Sequence, residues 1–388
     1  MRQNTRRSLT ESASNEAPRH SWAQSGITLS FSFPCCTLKF SLRIQCMTTN
    51  DLPILVEVTR GAIVESRHRG AIVVADSNGN LLKSLGDDAL ITSTRSTIKP
   101  IQAIPFLTSG AADHFNIDER ELAVVCASHE GEPIHTETVA GMLERAGLDE
   151  SALRCGAQTP FDAETAKELE AAGKPCTQLH NNCSGKHTGM LMTAAFRGLD
   201  LDDYVSSEHP VQREIITTFA QMSDLDEGIP AAIDGCSAPT FAVPLRSLAL
   251  AFARLVNPPA EDPRLVQTTR RIVAAMINHP EMVGGTRRRF DTELLRAGHG
   301  KVVCKIGAEA VYCVGVLPSE QFPQGAGIAI KIEDGANRGL GPVVIETLRQ
   351  LGVLDEAEVA QLNSFHSPVI ENRRGVKVGD VHARFGLE

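Results

Sequence analysis

Three features of the sequence predict an α/β fold whose antiparallel sheet is built from both ends of the chain. β-rich runs stand early, "ILVEVTRG" and "AIVVADSNGNLL" within residues 54–84, with "DSNGN" between Val74 and Leu81. Asn-Gly supplies the left-handed backbone that a tight hairpin needs, so this stretch reads as two paired strands. β-rich runs return late, at 301–316 ("KVVCKIGAEAVYCVGV") and 327–332 ("GIAIKI"). Between them the apolar residues recur at three and four positions, the spacing of helices. Strands at both ends with helices between give one antiparallel sheet with a helical insertion.

The helices follow in order. Helical periods cover 99–109 and 117–124. In 135–146, Val139, Met142, Leu143 and Ala146 share a face. Charged surface helices are expected near 163–172 and 209–223. A longer helix covers 264–278, with Val266, Ile272, Val273 and Met276 on one side, and a closing helix covers 341–352. No internal repeat, low-complexity segment or linker interrupts this order.

Composition narrows the function. Of 388 residues, 42% are hydrophobic and 22% charged, as in globular proteins, and the formal net charge is −9. That balance, with no basic stripe carrying interleaved aromatics, argues against nucleic acid as a partner. No apolar run approaches the roughly 18 residues of a membrane span.

Residues 1–46 differ from the rest. They carry six Lys/Arg against Glu11 and Glu16, a net charge of 6 − 2 = +4, which leaves −9 − 4 = −13 for residues 47–388. They are also serine-rich and hold the only tryptophan, Trp22. Such a composition resembles a transit peptide, but the preferred reading is a start placed upstream of the true initiator, Met47. On either reading 1–46 is expected to be a disordered or non-native extension, with 47–388 forming one folded domain. Seven cysteines follow Met47, an odd number at irregular spacing with no C-x-x-C. A disulfide scaffold is not expected from this, and reduced thiols in a cytoplasmic protein are.

Four segments carry candidate chemistry. In "STRSTIKPIQA", Ser96 and Lys99 stand three apart at the start of a helical period, and Pro100 suits a first helical turn. A desolvated lysine beside a serine can accept its proton and activate it as a nucleophile. The same pattern also suits a capping serine and a solvated lysine. In "CASHEGEPIH", buried "LAVV" runs up to Ser128 and His129, where the chain turns polar. In "NNCSGKHTGM" and "GCSAP", Cys183, Lys186 and Cys236 form a possible zinc set of two thiolates and one nitrogen, although lysine is an unusual ligand. In "MVGGTRRRFDT" and "VCKIGAEAVYCVG", Arg289, Asp291, Lys305 and Glu309 stand beside apolar runs. Lys305 lies within a strand pattern, and an inward lysine needs a partner, which a serine–lysine site would supply.

Taken together, "RSTIKP", "CASHEGEPIH", "LRCGAQTP", "NNCSGKHTGM", "EHPVQ", "IDGCSAPTFAVPL", "MVGGTRRRFDT", "KIGAEAVYCVG" and "VGDVHARFG" resemble the rhizobial-type L-asparaginase family. The resemblance runs from about residue 53 to the end. It implies a fold similar to serine β-lactamases and glutaminases, and hydrolysis of L-asparagine by a cytoplasmic, homodimeric amidohydrolase. It implies Ser96 as nucleophile or its close partner, with Lys99 as base, and Ser128 beside Lys305 as a second serine–lysine pair, with backbone N–H groups at the helix start meeting the oxyanion. It implies zinc at Cys183, Lys186 and Cys236, and a substrate-holding role for Arg95, Asp234 and His187. The departures are "TI" between Ser96 and Lys99, which is bulkier than usual, and the basic triple Arg287–Arg289. Residues 1–46 have no counterpart in the family.

Overall fold

The computed structural model describes residues 52–387, so the expected extension at 1–46 lies outside the described residues. Eleven strands occur among them: β1 (Ile54–Arg60), β2 (Ile63–Ala75), β3 (Leu81–Leu85), β4 (Ile91–Ser93), β5 (Ala231–Ile233), β6 (Pro239–Pro244), β7 (Val302–Gly307), β8 (Val311–Val316), β9 (Ala326–Ile332), β10 (Val369–Glu371) and β11 (Lys377–Ala383).

The main sheet runs β10-β11-β1-β2-β9-β8-β7, with β3 also paired to β2. Every pairing is antiparallel. The two ends of the chain meet where β1 pairs with β11, Val56 opposite Ala383 and Val58 opposite Val381. An antiparallel sheet from both ends is therefore what the chain forms. The last strand, β11, is not apparent in the sequence, because "KVGDVHA" alternates only weakly and its neighbours on the sheet supply the order. A second, three-stranded sheet, β4-β6-β5, stands apart.

The centre of the main sheet is covered on both faces, since all of β8 and nearly all of β9 are buried. Helix Leu245–Val256 packs on β2, β8 and β9. A Cβ on Gly327 of β9 would lie 1.8 Å from the Ala249 carbonyl oxygen, so only glycine admits this helix so close. Leu245, Leu248, Phe252 and Leu255 are buried in this helix while Arg246 is exposed and Arg254 half-buried, so it is amphipathic, although the sequence reading does not include it.

The expected helices form close to their predicted bounds: Glu119–Val125, Pro133–Arg145, Ala163–Ala171, Pro210–Ser223, Pro263–Asn278 and Leu340–Gln350. The run at 99–109 is broken instead into Lys99–Gln102 and Ile104–Thr108. Pro100 and Pro105 each remove a backbone donor there, which accounts for the break. All seven cysteines among the described residues are free. No helix among them is long and apolar enough to cross a membrane.

Candidate active site

Ser96 sits on a short 3-10 turn, Arg95–Ile98, and Lys99 opens the α-helix behind it. The serine therefore precedes the α-helix rather than occupying its first turn, and the amides of the helix start lie beyond it. The turn is held from the small sheet. Thr240 on β6 accepts the Arg95 N–H at 3.0 Å and meets the hydroxyls of Ser93 and Thr94 at 3.0 and 3.2 Å. Arg95 itself is left-handed, with φ 45°, an uncommon state for a non-glycine residue.

Ser128 arrives from another direction. It follows helix Glu119–Val125 by two residues, and its N–H donates to the Val283 carbonyl at 3.2 Å. Helix Ser184–Arg197 crosses this segment, and a Cβ on Gly185 would lie 2.1 Å from the Val124 carbonyl oxygen, so glycine is required at the crossing. That contact brings Asn182 and Cys183, just before the helix, to the same place.

Lys99 lies where these segments meet. It is 1% exposed, and its Nζ is held by the Ala127 carbonyl at 2.6 Å, the Asn182 carbonyl at 3.0 Å and Ser128 Oγ at 3.1 Å. Burial lowers its pKa, with the Cys183 thiol opposing and the Lys186 charge adding to the fall. The side chain of Ser96 has no hydrogen bond among the described residues. It opens instead onto a cavity of 430 Å³ that also exposes Ser128, Glu130, Phe161, Asn182 and Arg289.

The pairing of serines with lysines differs from expectation. Ser128 meets Lys99, not Lys305. Lys305 lies on β7, fully buried, and donates to the Ile306 carbonyl at 2.9 Å and to Asp291 Oδ2 at 3.4 Å. Burial pushes its pKa down to about 8 against the pull of the Asp291 carboxylate. Asp291, also fully buried, accepts the Ile306 N–H on the same oxygen at 3.3 Å, while its Oδ1 has no partner. The partner that an inward Lys305 requires is thus a carboxylate from helix Phe290–Ala297. Cys126 lies within electrostatic range of both lysines, so the two occupy one buried region.

The residues expected to hold substrate are placed unequally. Arg95 and Asp234 bond each other, Nε and Nη2 both reaching Oδ1 at 2.9 Å. The pair ties the turn carrying Cys236 to the turn carrying Ser96. His187 does not reach the cavity wall. It is fully buried, its Nδ1 meets the Tyr204 hydroxyl at 2.6 Å, and burial lowers its pKa to about 4. Its position on the inner face of helix Ser184–Arg197 turns it toward the thiols instead.

Those thiols form a compact set. Cys183, Lys186 and Cys236 are each 4–5% exposed, and Lys186 Nζ lies 3.1 Å from Cys236 Sγ. The neighbouring Cys183 thiol holds Cys236 far below the usual thiol range, and the Lys186 charge and His187 add to this. Cys183 is raised in return. Burial works against the Lys186 charge, but the Cys236 thiolate outweighs it and raises the lysine. The His187 Nε2 beside this set is buried without a hydrogen-bond partner. Two soft thiols, an amine and an orphaned imidazole nitrogen suit zinc. Among the described residues no three His, Cys, Asp or Glu side chains converge on one point, so the set depends on the lysine.

Glu130, Asn182, Arg289 and Asp291 belong to the site although the sequence alone did not assign them to it. An inward Lys305 needs a partner, which was expected to be the serine–lysine site; the structure supplies Asp291 instead. The basic triple also finds partners: Arg287 meets Asp162 at 2.6 Å, and Arg289 meets Glu130 at 2.8 Å.

Two serines on one cavity, with a buried, three-way-held lysine against one of them, fit an amidohydrolase, an enzyme that cleaves carboxamides. The chain is a member of the L-asparaginase II family, whose pattern matches residues 56–383. Among curated proteins no sequence matches it significantly. Of solved structures, a probable glutaminase from Bacillus subtilis complexed with 6-diazo-5-oxo-L-norleucine is similar at 13% identity over 74% of this chain and 85% of that one, with a TM-score of 0.36. A Bacillus glutaminase crystallised in 4.3 M NaCl is similar at 14% identity over 74% and 91%, with a TM-score of 0.33.

Proposed function

We infer that this protein hydrolyses L-asparagine to L-aspartate and ammonia through a serine acyl-enzyme. The observation that carries this reading is the hold on Lys99. Two carbonyl oxygens, of Ala127 and Asn182, take two of its N–H groups, and the third direction points at Ser128 Oγ. A neutral amine held in this way aims its lone pair at a serine hydroxyl, which is the geometry of a general base.

Ser96 Oγ, open to the cavity, attacks the side-chain carboxamide carbon of asparagine. Its proton passes to Lys99 through the Ser128 hydroxyl. The tetrahedral intermediate collapses, the C–N bond breaks, and the leaving nitrogen takes the proton back and departs as ammonia. Water then adds to the ester, again giving its proton to Lys99; the C–Oγ bond breaks, Lys99 returns that proton to Ser96 Oγ, and aspartate is released. Lys305 supplies a fixed positive charge from Asp291's side of the same region. The 3.1 Å contact between Lys99 and Ser128 favours a second reading in which Ser128 is itself acylated.

Cys183, Lys186 and Cys236 would hold a zinc ion, with the lysine as a neutral amine. Zinc there would supply structural order and a fixed charge for placing substrate. Steady-state ammonia release from asparagine and glutamine, together with ring opening of a chromogenic β-lactam, tests the reaction. The reading stands if asparagine is turned over best. It fails if asparagine is inert or if either other substrate is preferred. Intact-mass analysis with an electrophilic asparagine analogue, followed by peptide mapping, separates Ser96 from Ser128.

A further inference from the structure

The cavity above the two serines carries one ion pair that the hydrolytic steps do not use. Arg289 Nη1 donates to Glu130 Oε1 at 2.8 Å, and both side chains line the same 430 Å³ space as Ser96 and Ser128. They are neither surface groups nor sealed ones, at 23% and 13% exposed. Within the described residues Glu130 Oε2 takes no hydrogen bond, and Arg289 spends only Nη1.

The pair is built in. The Glu130 N–H donates to the Gly284 carbonyl at 2.8 Å, and its own carbonyl accepts the Asp162 N–H at 3.1 Å. A Cβ on Gly285 would lie 2.6 Å from Glu130 Cγ, and one on Gly284 would lie 2.6 Å from Arg289 Cγ. Two consecutive glycines therefore make room for these two side chains. Arg288, just before Arg289, is bent into the left-handed region at φ 50°. The Arg289 guanidinium also lies 6.0 Å from the centre of the Phe161 ring, which limits its swing.

We propose that Glu130 and Arg289 are the specificity-determining clamp for the head of an α-amino acid, Glu130 taking its ammonium and Arg289 its carboxylate, while the side-chain amide is presented to the serines. This rests on the asparagine-hydrolase reading and adds to it the residues that recognise the α-amino acid head. An α-amino acid carries its two charges on one carbon, and an acid and a base already joined edge to edge offer their free oxygen and free nitrogens side by side. Arginine donates two parallel N–H groups to a carboxylate, so recognition of that end is directional. Burial raises the Glu130 pKa while Arg289 opposes the rise, so an incoming ammonium would relieve an acid that is poorly solvated. Arg95–Asp234, the pair expected from the family resemblance to hold substrate, is not on the cavity wall.

The test uses asparagine and two amides that each lack one charge: succinamic acid, without the ammonium, and 3-aminopropanamide, without the carboxylate. Wild type should favour asparagine over each by at least about a hundredfold in kcat/KM, because a site built for a polar group rejects the analogue lacking it. Glu130→Gln should cost asparagine about fiftyfold or more and succinamic acid little. Arg289→Met should do the same for asparagine while sparing 3-aminopropanamide. Equal losses on all three amides would show a packing role and overturn the clamp, as would wild type accepting succinamic acid as readily as asparagine.

Calorimetric titration with L-aspartate and succinate gives a readout free of turnover. Wild type should bind aspartate, and the double variant Glu130→Gln/Arg289→Met, in which no buried charge is left alone, should bind it at least tenfold more weakly. Aspartate binding unchanged in a folded double variant would overturn the clamp whether or not any amide is cleaved. Tight, clamp-dependent aspartate binding without amide cleavage would sink the hydrolase reading and leave the clamp standing.

Discussion

Lys99 and Ser128 are joined at 3.1 Å, whereas Ser96, three residues before that lysine, leaves its hydroxyl open to the cavity. One lysine therefore stands behind two serines. Removing the open hydroxyl by Ser96→Ala should lower kcat on the order of a thousandfold or more while leaving thermal stability within about 1 kcal/mol, since no core group is lost. Lys99→Met should be equally inactive. Lys99→Arg should not restore turnover, because arginine keeps its proton. Ammonia release at even a tenth of the wild-type rate from Ser96→Ala would point to Ser128 as the acylated residue.

The Lys305–Asp291 pair predicts a stability signature. The folded-state pKa of Lys305, about 8, lies below its ordinary value of 10.5. Between those values the unfolded chain binds the extra proton, so this group makes stability rise as pH goes from about 8 to about 10.5. Urea denaturation across that range should show the slope in wild type and lose it in Lys305→Met. The single variant should be less stable by about 3–5 kcal/mol, because it leaves Asp291 buried and unpaired. Adding Asp291→Asn should recover most of that loss. A double variant no better than the single would mean the pair is not energetically joined.

The sheet and most helices were legible because their residues obey local periods, as in Val139, Met142 and Leu143 of helix Pro133–Arg145. Strand β11 was not, because its order comes from pairing with distant β1 and not from a local pattern. The site divides in the same way. Ser96, Lys99, Ser128 and the thiols stand in segments whose residue types are locally odd. Which lysine meets which serine depends on the crossing of helix Ser184–Arg197 at Gly185, a contact between residues 61 positions apart that no spacing encodes. Asp291 stands out in the sequence as an ionic residue beside an apolar run, but its pairing with Lys305 was not expected there, since a serine–lysine contact was.

Purified without chelator, the protein should carry about one zinc per chain. Both thiolates and the neutral amine must give up protons to bind it, so affinity should fall as pH drops. Cys183→Ser should raise KM more than it lowers kcat if the ion places substrate. Elemental analysis decides occupancy, and less than about a tenth of an equivalent after zinc is restored would remove the metal from this site.

Two glycines give opposite expectations from one substitution. Gly327→Ala puts a methyl 1.8 Å from the Ala249 carbonyl oxygen and 2.4 Å from the Ala253 nitrogen. Both obstacles are backbone of helix Leu245–Val256, so neither can swing aside as a side-chain tip would. Either the helix lifts off β9 or the strand bows, and each opens contacts in the middle of the core. The loss should reach about 3 kcal/mol or more. Gly141 sits on the exposed side of helix Pro133–Arg145 with nothing within 4 Å of a new Cβ. Gly141→Ala should therefore stabilise by up to about 1 kcal/mol, through the backbone entropy that glycine forfeits in a helix. Denaturant midpoints for the two variants measure both signs at once. A mild Gly327→Ala would mean the helix does not rest on the sheet at the observed distance.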